Sequence, residues 1–124
     1  MFSKLIEIKA IRESRLRQQL ADEEKCHKEN QKKLHLVIAH RTQLQQEWRE
    51  IGRRKQGSLS GVSLMRLRQQ LAGFHLQDRE LEAHWNALQQ QIHTWPDIKK
   101  HLEQRIRRAN IEQEKLKYLA ENYP

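Results

Sequence analysis

The sequence predicts an all-α fold, an elongated antiparallel two-helix coiled-coil hairpin, on three observations. From Leu64 to Ala120, steps alternating between three and four residues meet an apolar side chain at fourteen of seventeen positions. A period of about 3.5 is the seam of a coiled coil, whose helices pack along their length against another helix. A weaker stripe of the same period runs from Lys9 to Ile51, apolar at seven of thirteen positions. Between the stripes, three of the four glycines and three serines fall within residues 52–63, a dense helix-breaking signal.

Each element follows from local chemistry. The first arm is expected over 3–51, with Ser3 as its N-cap and Gly52 closing its end. Leu5, Ile8 and Ile11 follow a shifted phase, so the seam is expected to slip there. The turn occupies 52–63, with Ser60 or Ser63 capping the second arm, 64–121. So short a connection returns the chain antiparallel. Pairing positions whose numbers sum to 115 sets Ile51 by Leu64, Trp48 by Leu67, Leu44 by Leu71, Leu34 by Leu81 and Leu20 by Trp95. A shift of one heptad fits nearly as well. Thr94-Trp95-Pro96-Asp97 either begins a new helix or kinks a continuous one. The stripe keeps phase across it, which favours the kink. Gly73 inside the second arm costs about 1 kcal/mol relative to alanine. An identical Arg-Leu-Arg-Gln-Gln-Leu-Ala stands at 15–21 and 66–72 without recurring, so the chain is no solenoid.

Composition narrows the function classes. The 124 residues are one domain's worth of chain, 36% apolar and 32% charged, enough for a two-helix seam and little for a globular core. Cys26 stands alone, which excludes an internal disulfide and favours a reducing, cytoplasmic setting. No apolar run approaches a membrane span, so no membrane insertion is expected. The net charge of +8 is concentrated. Residues 4–17 and 97–108 each carry a net charge of +3, and Arg53, Arg54 and Lys55 add three more at the turn.

Site chemistry is sparse. Seven histidines show no i, i+4 pair, and Cys26 beside His27 lacks the further ligands zinc needs. No phosphate loop or nucleophile elbow is present, and a rod has no pocket to perturb pKa values. No enzyme activity, metal, cofactor or small-molecule substrate is therefore expected. Basic patches without a reading motif make nucleic acid a disfavoured partner against solvated charge or an acidic protein. Under the 115 pairing, Trp85, Leu88 and Ile92 face the polar run Ala21–Lys33, leaving apolar surface for a third helix. That surplus keeps a second reading open, a structural or adaptor coiled coil that self-associates through the second arm.

The opening Leu5-Ile-Glu-Ile-Lys-Ala-Ile-Arg-Glu-Ser-Arg-Leu16, the Gly/Ser turn and the long second arm ending at Tyr123 resemble the central-stalk family of type III secretion and flagellar export systems (FliJ/YscO-like). The resemblance implies a cytoplasmic, non-enzymatic ATPase stalk of a bacterial secretion apparatus. Its implied partners are a hexameric export ATPase, an export-gate membrane protein and secretion chaperones. On that reading the basic end suits a negatively lined ring opening, with Arg12, Arg15, Lys99, Arg105 and Arg108 as ATPase-side contacts. Phe74 and Leu81 become candidates for other partners by position, together with Trp85, Leu88 and Ile92.

Overall fold

The computed structural model describes residues 2–54 and 61–123. They form two helices, α1 (Phe2–Arg54) and α2 (Gly61–Asn122), and no strand among the described residues. The predicted all-α hairpin is the fold. Both helices overrun the predicted arms: Ser3 lies inside α1, and Gly52, Arg53 and Arg54 remain helical, so the first arm does not end at Gly52. α2 begins at Gly61, which puts Ser63 within it. The remaining turn residues, 55–60, with the Ser60 cap and Lys55, lie outside the described residues. At the far end, Tyr123 donates its backbone N–H to Leu119 (2.8 Å) and Asn122 Nδ2 donates to the Tyr118 carbonyl (2.8 Å). Those contacts satisfy two carbonyls that a helix terminus leaves open.

α2 is continuous through Pro96. The chain therefore does not start a new helix there; it tolerates the hydrogen bond that proline cannot donate one turn back. No described helix is long and apolar enough to cross a membrane.

The hairpin divides into two compact units, each holding one stretch of either helix: residues 1–29 with 93–124, and residues 30–92. In the first unit the core is a single file on α2, made of Trp95, Leu102 (2% exposed), Ile106, Ala109 and Gln113. The α1 positions that face a seam here are Lys9, Glu13, Leu16, Leu20, Glu23 and His27, all half-buried. The long stems of Lys9 and Glu13 supply apolar cover while their heads reach polar partners. Leu5, Ile8 and Ile11 stand 44–52% exposed, and Phe2, Ile6 and Lys9 hold the seam instead. The expected slip of phase is absent. In the second unit Leu44 is the buried centre, flanked by half-buried Leu34, Val37, Leu67, Leu71, Phe74 and Leu81.

The register of the first unit is displaced by one heptad from the 115 pairing. In the first unit His27 stacks on Trp95, with ring centroids 5.1 Å apart and planes 17° from parallel; the 115 pairing set it against Leu88. In the second unit Arg41 Nε donates to Asp78 Oδ1 at 2.7 Å and Nη2 to Oδ2 at 3.3 Å, one turn along α2 from the Phe74 that the 115 pairing set against it. Trp48 meets His75 edge-on at 6.2 Å. Apolar pairs repeat every seven residues and cannot separate the two registers. Charged seam residues can, because a buried charge without a partner is costly.

Candidate functional site

The strongest candidate lies in the first unit, where the two basic stretches come together. Arg12 and Arg15 follow one another on the flank of α1 beside the seam, and Arg105 and Arg108 do so on α2. Because the helices run antiparallel, these flanks meet. The four arginines line a shallow open cleft of about 530 Å³, with Leu16 and Ala109 also lining it. Lys9, Gln19 and Glu112 complete its walls.

Neighbouring carboxylates are already occupied. Lys9 Nζ lies 2.7 Å from Glu112, and that hydrogen bond and charge hold the Glu112 carboxyl below its usual range. Glu13 accepts from Arg17 Nη2 (2.9 Å) and Asn110 Nδ2 (3.2 Å), and also from Gln113 Nε2. Its pKa is lowered, first by the Arg17 hydrogen bond and then by that of Asn110. Gln113, a buried polar residue, also donates to the Lys9 carbonyl at 3.3 Å. The charge of Arg12 also acts on Glu112, though beyond salt-bridge distance. Among the described residues, none of Arg12, Arg15, Arg105 and Arg108 has a carboxylate within salt-bridge distance.

Four guanidiniums around one open cleft, with Glu112 as the one carboxylate of the lining, make a candidate anion site. Arginine offers planar, bidentate donors that match phosphate and carboxylate. Of the five basic residues singled out from the sequence, four share this cleft. Lys99 does not line it; it lies half-buried on the seam, 4.0 Å from Glu103. Phe74, Leu81, Trp85, Leu88 and Ile92 are all half-buried seam residues. The sequence reading missed Lys9, Gln19 and Glu112, which only the correct register brings to the cleft. It also missed two further hollows: one beside half-exposed Trp48 with Gln45 and Arg49, and one at Ile111, Lys115, Tyr118 and Leu119.

Other chemistry is thin. Among the described residues, no group of three histidine, cysteine or carboxylate side chains is placed to hold a metal ion. Cys26 is exposed and unbonded. His27 keeps a buried Nδ1 without a hydrogen-bond partner.

Residues 1–48 match the family model of restriction endonuclease fold toxin 7. The match covers less than half of the chain and, over its described residues, falls within α1. No curated protein and no solved structure matches the chain. The family match overturns the resemblance to the type III secretion and flagellar export stalks. With it fall the stalk function and the partners it implied: export ATPase, export gate and secretion chaperones. The judgement against nucleic acid falls too, since the matched family is one of nuclease-fold toxins. The physical reason for the error is plain. The resemblance rested on a basic, Gln-rich hairpin with a Gly/Ser turn, and any pair of helices packed on a seam of about 3.5 residues reproduces that pattern.

Proposed function

We propose that this hairpin binds nucleic acid, and that the arginine cleft of its first unit grips the phosphate backbone. The observation that carries the reading is the meeting of Arg12 and Arg15 with Arg105 and Arg108 around one open cleft, with no carboxylate paired to any of them. Phosphate neutralisation by arginine is the electrostatic, sequence-independent part of nucleic-acid affinity. The net charge of +8 adds long-range attraction. The match of residues 1–48 to a nuclease-fold toxin family gives independent support, and it includes two of the four arginines.

The role assigned is binding without catalysis. The cleft walls are guanidiniums, which stay protonated at any physiological pH, and its one carboxylate, Glu112, is tied to Lys9. No group there is placed to deprotonate a water. The test is fluorescence anisotropy of labelled nucleic acid with the full chain and with a variant carrying glutamine at positions 12, 15, 105 and 108. The expected result is binding by the parent chain at low salt and at least a roughly hundredfold loss in the variant, since charge-assisted hydrogen bonds are worth about 1.5–3 kcal/mol each. Equal affinity in both would overturn the assignment of the cleft.

A further inference from the structure

The hollow at Ile111, Glu114, Lys115, Tyr118 and Leu119, about 450 Å³ and mostly apolar, borders the arginine cleft along α2. Arg105, Arg108, Glu112, Lys115 and Leu119 succeed one another in steps of three and four, and residues so spaced are neighbours on a helix surface. Glu112 belongs to the cleft and Lys115 to the hollow, so the two adjoin. Of the two carboxylates here, Glu112 is paired with Lys9 at 2.7 Å, and Glu114 stands beside Lys115 in the lining of the hollow. Tyr118 is 64% exposed and Ile111 44% exposed. From Arg108 to Tyr118 the helix rises roughly 15 Å, the length of a few nucleotides.

A cationic groove continuing into an exposed aromatic ledge is what a single strand needs. Its phosphates track the groove while an unstacked base lies on the ring, and every base has a π-face to offer. A duplex keeps its bases within the stack and gains nothing from the ledge. Resting on the nucleic-acid reading above, we infer that the ligand is single-stranded, its backbone in the arginine cleft and a base seated on Tyr118.

The experiment compares the full chain with Tyr118→Ala and Tyr118→Phe, each checked for helicity by circular dichroism. Labelled oligo(dT), oligo(U) and a mixed-sequence duplex of equal length are titrated at one salt concentration. Single strands should bind more tightly than the duplex, with either sugar; the tighter of the two names it. Tyr118→Ala should lower single-strand affinity about tenfold or more, as expected for one lost stacking contact. It should leave duplex affinity unchanged, and Tyr118→Phe should restore parental binding. If single strand and duplex bind alike and Tyr118→Ala changes neither, the inference falls while the binding function stands. If no nucleic acid binds at all, both fall together.

Discussion

Arg41 and Asp78 place one polar pair between helices otherwise joined by repeating apolar contacts. Their two hydrogen bonds join α1 to α2 in the second unit. The guanidinium hydrogen bond holds the Asp78 carboxyl below its usual range, and the same pair raises the Arg41 pKa. Both side chains are about one-third exposed, so the pair belongs at the upper end of surface ion pairs, about 1 kcal/mol. Asp78→Asn should therefore lower stability by about that amount, read as a fall in the thermal midpoint at neutral pH. The sign with pH follows from the depressed carboxyl. Its stabilisation is fully present above the unfolded-state pKa and is lost as pH falls through the folded-state one. The parent chain should lose stability on acidification below the ordinary carboxylate range, and Asp78→Asn should lose less. Parallel acid limbs for the two proteins would deny the pair this role.

At the scale of the helices, Gly73 and Pro96 violate helix propensity in the interior of α2 and are carried by the seam. A Cβ added at Gly73 meets nothing within 4 Å, so Gly73→Ala should stabilise by about 0.5–1 kcal/mol through backbone entropy alone. Pro96 lies on an exposed face of the continuous α2. Pro96→Ala restores a backbone donor and should raise both helical ellipticity and the thermal midpoint; unchanged values would show that the seam absorbs the proline without strain. By contrast, Leu102 is the most buried side chain of the first unit, and Leu102→Ala should cost about 2–4 kcal/mol. The helices were legible in the sequence because their stripes kept one period: from Leu67 to Ala120, every stripe position is buried or half-buried. Their register was not. Sliding by seven residues exchanges one leucine for another, and in the first unit His27 on Trp95 and Glu13 with Asn110 and Gln113 break the tie. The triplet Leu5, Ile8 and Ile11 misled for a related reason: apolar character alone does not say which face is the seam.

Over the whole molecule, the surplus of positive charge was readable from the sequence as three patches, and pairing the helices turned two of them into one cleft. Whether such a cleft meets protein or nucleic acid was not legible, since guanidiniums serve carboxylate and phosphate alike. The export-stalk resemblance chose protein; the family match on α1 points the other way. Salt dependence separates a phosphate polymer from a compact acidic surface, because each phosphate contact releases a condensed counterion.

The most direct measurement is accordingly the affinity for an unstructured oligonucleotide against salt concentration, for the parent chain and for the double variant Arg12→Gln, Arg108→Gln. The cleft account predicts that the logarithm of affinity falls linearly with the logarithm of salt, with a slope of about −3 for four contacts on a single strand, reduced by about 1.4 in the double variant. A parent slope near zero, or a variant that keeps both the affinity and the slope of the parent, would contradict it.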